Sequence, residues 1–246
     1  MKAAVEISLK LLLAPILIWQ GLRVRKHALI LPEATGPRSG ITGKGAPLRL
    51  LILGDSSAAG VGVETQDMAL LGQLVSRLSG TCEVHWDLVA KTGATTTSTI
   101  ETARTLDPKP YDGVIVALGV NDVTRSVPLK HWISLHRTLF DHLIATHGAQ
   151  RIYTSTLPPM GHFPVLPQPL RWLIGLTATR YNAAMTDWQA TRPEVTRLHF
   201  DLPLDPGLMA SDGFHPGAEV YAIWADMLAQ EISRDFPQVS GGKRTA

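Results

Sequence analysis

The chain has 246 residues, of which 45% are apolar and 18% charged, a balance that supports one sizeable core and excludes a disordered or fibrous chain. Lysine and arginine outnumber aspartate and glutamate by only 23 to 21, too small an excess to point to nucleic acid. The single cysteine, Cys82, rules out an internal disulfide and reads as a buried structural thiol.

The first element is apolar and basic. Lys2 and Lys10 precede the run Leu11–Trp19, and Arg23, Arg25 and Lys26 follow it. The run is too short to span a bilayer, and no small-x-small cleavage site follows it. Residues 1–30 are expected to form a helical segment with three possible placements. It can lie at a membrane surface through residues 1–26, with Trp19 and the basic cluster at the headgroups. It can dock on the domain or on another subunit. It can also extend through Leu22 and Val24 as a transmembrane anchor. The expected compartment is accordingly membrane-associated or cytoplasmic, with a periplasmic location less favoured. Residues 31–47 are rich in Pro and Gly and are expected to be a linker.

Strands and helices then alternate. Strands are expected at 49–54, 83–89, 112–118, 151–156 and 195–199, and helices near 67–79, 97–105, 130–146, 169–190 and 217–233. This alternation predicts an α/β fold, with a parallel sheet covered by helices on both faces. Trp132, Leu135, Leu139, Phe140 and Leu143 recur at helical spacing, as do Val220, Ile223, Trp224, Met227 and Leu228, and both stripes read as core faces. The folded domain is expected over 48–236, followed by a flexible tail at 237–246.

Chemistry-bearing residues gather where strands end. The first strand runs into Gly54-Asp55-Ser56, a serine on a turn of small residues where an open α/β sheet displays a nucleophile. The alternative is a plain capping turn. Asp55 is expected to hold that turn, because side chains adjacent in sequence diverge. Near the C-terminus, Asp212-Gly213-Phe214-His215-Pro216 places an acid three residues before a histidine. A serine hydroxyl needs a base to take its proton, and the base needs an acid to orient it. Asp212 can equally be a turn residue before a helix. Gly119-Val120-Asn121-Asp122 closes another strand. Asn121 can donate to a developing oxyanion or form an Asx turn, and Asp122 reads as a cap or a supporting hydrogen-bond partner. Gly93, after the strand at 83–89, can offer its N–H to a closely approaching substrate or serve as a turn glycine.

Together these residues resemble the SGNH (GDSL-type) hydrolase family over roughly residues 48–235. The first block is Gly54-Asp55-Ser56, the second Gly93, the third Gly119-Val120-Asn121-Asp122, and the last Asp212 with His215. Ser57 stands where the family's leucine is usual, and the second block lacks the common Asn and second Gly. The resemblance implies a three-layer α/β/α sandwich around a five-stranded parallel sheet of flavodoxin-like type. It implies Ser56, Asp212 and His215 as catalytic residues, with Ser56, Gly93 and Asn121 forming the oxyanion hole. It also implies no cofactor and no metal.

The expected function is a serine ester hydrolase acting on small-molecule or lipid carboxylic esters with short-to-medium acyl groups, through an acyl-enzyme. A membrane-associated thioesterase or lysophospholipase is the alternative, and a catalytically silent binding protein on this fold is a third reading. No glycine-rich phosphate loop follows the first strand, which argues against nucleotide binding. The apolar loop 157–166 is expected to line the substrate pocket through Pro159, Met160 and Phe163 or to pack on the N-terminal segment. His162 reads as a solvated loop residue. His131, His136, His142 and His147 read as helix-surface residues with no metal-ligand spacing.

Overall fold

The computed structural model describes residues 2–200 and 206–237, with the side chains of 12–200 and 207–237. A long helix α1 (Lys2–His27) precedes strands β1 (Ser39–Gly43) and β2 (Ala46–Gly54). Then come α2 (Leu70–Leu78), β3 (Cys82–Ala90), α3 (Thr96–Thr105), β4 (Gly113–Ala117) and the short α4 (Val120–Thr124). The chain continues through α5 (Leu129–His147), β5 (Arg151–Ser155), α6 (Leu170–Gln189), β6 (Val195–Leu198) and α7 (Ala218–Asp235). Apart from Pro237, the tail expected at 237–246 lies outside the described residues.

Burial on both faces of β2 builds the layers. Leu48, Leu50 and Ile52 pack with α2 and α7, whereas Leu51 and Leu53 point the other way onto α3 and α5. Alternation of side chains along a strand puts these two sets on opposite faces, and an uninterrupted aliphatic run satisfies both. The sheet order is β1-β3-β2-β4-β5-β6, with β2 to β6 parallel. The chain moves from β2 outward to β3, then crosses back over β2 to β4 on its other side. The crevice beyond the C-terminal ends of β2 and β4 is therefore a topological switch point, the place where open α/β sheets receive ligands.

The five expected parallel strands are joined by a sixth, antiparallel one. β1 pairs with β3 from Ser39↔Asp87 to Gly43↔Glu83 and lies within the segment expected to be a linker. The glycines that suggested a linker serve the turn between β1 and β2. Gly43 and Gly45 adopt φ of +94° and +125°, and a Cβ on Gly43 would stand 2.2 Å from the Cys82 carbonyl oxygen. The preceding stretch is also stitched to the domain. Glu33 accepts from the Thr92 N–H at 2.7 Å and from its hydroxyl at 2.9 Å, and Leu88 N donates to Arg38 O at 2.7 Å.

Two histidines depart from the surface reading. His131 is exposed and His142 half-exposed, but His136 and His147 are buried. His136 Nδ1 donates to the Trp132 carbonyl at 3.0 Å, and its ring meets Trp132 edge-on at 4.6 Å and Phe140 at 5.8 Å. An imidazole is apolar enough to fill this aromatic stack once one nitrogen is bonded. Burial pushes its pKa down to about 4. The unfolded state then binds the extra proton between about pH 4 and 6.5, so stability falls as the pH drops through that window. Between pH 7 and 5 this residue is expected to remove on the order of 2 kcal/mol from the unfolding free energy. Urea unfolding of His136→Gln should show that share of the acid-side loss removed, and an unchanged slope would refute the assignment.

Candidate active site

The turn after β2 is built by sterics and one carboxylate. A Cβ on Gly54 would stand 2.5 Å from both the Ala117 carbonyl oxygen and the Ala58 Cβ, so only glycine lets β2 run this close to β4. Asp55 N then donates to Ala117 O at 3.1 Å, tying the turn to the end of β4. The buried Asp55 carboxylate accepts through Oδ1 from Ser57 N at 3.0 Å and Ser57 Oγ at 2.8 Å. Its other oxygen accepts from Asn121 Nδ2 at 3.3 Å. Burial raises the Asp55 pKa against the opposing pull of the Ser57 bonds. This is the turn-holding role expected of Asp55, and it leaves the neighbouring Ser56 side chain directed elsewhere.

Ser56 Oγ lies 2.8 Å from His215 Nε2. The other ring nitrogen, Nδ1, donates to Asp212 Oδ2 at 2.5 Å. Asp212 Oδ1 accepts from the Phe214 N–H at 2.9 Å and the His215 N–H at 3.0 Å. Burial pulls the Asp212 pKa upward, but the His215 ring and these two amides outweigh it and hold the carboxyl below its ordinary range. The loop that carries them closes on itself. Ala210 N donates to His215 O, Gly213 N donates to Ala210 O, both at 2.9 Å, and Gly213 takes the left-handed φ of +64°. Phe214 flanks the His215 ring at 5.2 Å and meets Phe163 edge-on at 5.0 Å.

Asn121 stands at the start of α4, just beyond β4, and both amide hydrogens are engaged: one by Asp55, the other by the Ala94 carbonyl at 3.0 Å. Gly93 adopts φ +78°, a conformation that favours glycine, and its carbonyl accepts from Arg125 at 3.0 Å. It lies beside Ala94 but is not among the residues lining the cavity at Ser56. Asp122 is fully buried and accepts from Thr96 N at 3.2 Å and Thr96 Oγ1 at 2.9 Å, which fixes the first turn of α3. Burial raises its pKa.

A cavity of about 100 Å³ opens at Ser56 and His215. Of the three residues expected at the substrate pocket, Pro159 and Phe163 lie in its lining and Met160 does not. Met160 is fully buried beneath the loop, where the packing of the loop on α6 turns it inward with Tyr181 and Met185. The loop comes this close because glycines meet: a Cβ on Gly175 of α6 would stand 2.5 Å from the Gly161 Cα. His162 is exposed and lies outside the cavity lining.

A family model for the GDSL-like lipase/acylhydrolase family matches residues 52–223. The chain belongs to this family. The GDSL-like esterase Rv1075c of Mycobacterium tuberculosis is 30% identical over 197 residues, 74% of this chain, and the chain spans only 60% of that relative's length. Among solved structures, the psychrotrophic esterase EstA from Pseudoalteromonas matches with a TM-score of 0.57 at 18% identity, covering 76% of this chain and 97% of its own. A GDSL-like lipase from Bacteroides thetaiotaomicron matches with a TM-score of 0.56 at 14% identity, covering 76% and 88%. At such identities these likenesses show a shared fold.

The GDSL-like blocks locate the polar groups, and Leu157 belongs to the loop expected at the pocket, but the rest of the apolar wall carries no such signal in the sequence. Met209, Phe214 and Trp224 also line the cavity. Trp224 was read only as a core residue of α7, yet it reaches the cavity and donates to Ser155 Oγ at 2.8 Å. The usable signal for Phe214 was its place between Asp212 and His215. Gly62 gives this loop its seat: its φ is +108°, and a Cβ there would stand 2.3 Å from the Pro216 carbonyl oxygen. Gly62→Ala is expected to cost about 1–3 kcal/mol in urea unfolding through strain at this crossing. A neutral substitution would show that the loop seats without the close approach.

Proposed function

We propose that this GDSL-like protein is a carboxylic ester hydrolase working through a covalent acyl-enzyme at Ser56. The observation that carries the proposal is the continuous hydrogen-bonded chain Ser56–His215–Asp212 opening onto an apolar cavity. Family membership supports the same reading. Ser56 Oγ attacks the ester carbonyl carbon while His215 Nε2 takes its proton. Asp212, kept ionised below the ordinary carboxylate range, fixes the ring with Nδ1 protonated and stabilises the imidazolium that forms.

The tetrahedral oxyanion is received by the Ser56 N–H and the Asn121 amide, and Gly93, outside the cavity lining, is the third donor that the family resemblance implies. The amide hydrogen now on Asp55 makes the longer of its two bonds and is the one to redirect. His215 then protonates the departing alkoxide. Water attacks the acyl-enzyme with His215 again as base, releasing the carboxylic acid and restoring Ser56.

The cavity walls favour an acyl group over a sugar. Leu118, Leu157, Phe163, Phe214 and Trp224 present carbon surface to it. A 150 Å³ apolar cavity is enough for a benzene ring, so a space of about 100 Å³ suits an acyl chain of a few carbons.

Hydrolysis of p-nitrophenyl esters from acetyl to palmitoyl tests the reading. Activity should be highest on short acyl groups and vanish in Ser56→Ala with thermal unfolding unchanged; turnover retained in that variant would refute the nucleophile. Asn121→Ala should lower kcat by about 10²–10³ with KM little changed, and a pure KM effect would remove Asn121 from the oxyanion hole. Trp224→Ala should move the preference toward longer chains, and an unmoved profile would take Trp224 out of the acyl pocket.

A further inference from the structure

We infer that α1 binds the surface of an anionic phospholipid bilayer while remaining docked on the domain. The docked face is narrow. At 100° per residue, Leu13, Leu17, Gln20 and Val24 fall on one side of the helix. Gln20 is buried, donates through Nε2 to the Gln168 carbonyl at 2.6 Å and accepts through Oε1 from the Leu170 N–H at 3.1 Å. Val24 packs beside the aromatic cluster under α6. These contacts fix α1 to the start of α6, immediately after the loop that lines the cavity.

The opposite face has the wrong chemistry for water. Leu12, Ile16, Ile18, Trp19 and Leu22 point away from the domain and are between 42% and 78% exposed. From Leu11 to Leu22 the one residue with a fully polar side chain is Gln20, and that residue faces the protein. A helix docked on a protein in water carries its polar residues outward, whereas one apolar all round is surrounded by apolar material. The apolar surface continues past the helix at Leu29 and Ile30, and Trp172 is exposed on the first turn of α6, two residues from the Leu170 amide that Gln20 holds.

Charge selects the occupant. Residues 1–30 contain five lysines and arginines against one acid, Glu6. Arg23, Arg25 and Lys26 crowd the exposed end of the helix, where Arg23 lies 5.3 Å over the Trp19 ring. An aromatic ring beside basic side chains at the rim of an apolar face fits the headgroup layer, with the rings at the interface and the long cations reaching to phosphates. A second copy of the chain would instead bring three like charges against three. Among the described residues, no helix is long and apolar enough to cross a membrane. Docked along its inner face and held there by Gln20, the helix lies in the plane of the surface.

The test is flotation of the full chain with vesicles of phosphatidylcholine alone and of phosphatidylcholine containing about 30% phosphatidylglycerol. The chain is expected to float with the anionic vesicles and far less with the neutral ones. Leu12→Glu/Ile16→Glu/Leu22→Glu should abolish flotation. Arg23→Gln/Arg25→Gln/Lys26→Gln should weaken it about a hundredfold, at about fivefold per lost cation. Neither variant alters a residue of the docked face, so both should keep the wild-type melting temperature. Failure of the wild type to float, or flotation unchanged by the glutamates, overturns the inference. So does a vesicle-free dimer that the same glutamates dissociate, which would make a second copy the occupant.

Discussion

One buried carboxylate joins the two halves of the crevice. Asp55 receives the Ser57 amide and hydroxyl through one oxygen and the Asn121 amide through the other, while its own N–H is bound to the end of β4. The turn after β2 and the turn after β4 are thereby locked together across the switch point. Burial without partners would be costly for a carboxylate, and the two Ser57 bonds, shorter than the Asn121 one, hold the group in place. Ser56, placed between Asp55 and Ser57, inherits its position from bonds in which its own hydroxyl takes no part. That hydroxyl is left to His215.

The apolar side of the cavity is organised from farther away. Asn182 on α6 accepts from Leu157 N at 2.8 Å and donates to Leu157 O at 3.0 Å, pinning the wall segment as a strand partner would. Arg197 of β6 in turn donates to Asn182 at 2.8 Å and to Gln189 at 3.2 Å. Burial lowers its pKa to about 10, and it remains a cation at neutral pH. Its partners here are amide oxygens, neutral acceptors that orient a guanidinium without neutralising it. The tight crossing of Gly161 and Gly175 completes the clamp, so the wall is a fixed surface borrowed from α6.

The layers and the polar site were legible because they depend on short-range signals. The aliphatic run of β2, the alternation of strands and helices and the blocks around Ser56, Gly93, Asn121, Asp212 and His215 all announce themselves within a few residues. Trp224, Met160 and His136 were not legible for three separate reasons. Helical periodicity says that Trp224 is buried but not against what, Met160 sits on an apolar loop without periodicity, and His136 reads as a surface residue because its ring is polar. Trp224 faces the cavity, Met160 turns beneath the loop, and His136 fills an aromatic stack. β1 was missed for a different reason. Glycine-rich composition reads as loop, yet the glycines are there because the turn wraps closely around the beginning of β3.

That added strand alters where the domain begins. β1 occupies the outer edge of the nine-residue β3, whose inward positions Val84, Trp86 and Leu88 are apolar. A chain shortened to start at residue 48 would strip this cover and leave β3 as a long, unpaired edge. Such an edge offers a row of free amides and carbonyls to any other strand, and edge-to-edge pairing is the common route from a folded sheet to an aggregate. The five residues that look dispensable in the sequence thus keep the sheet from recruiting its neighbours.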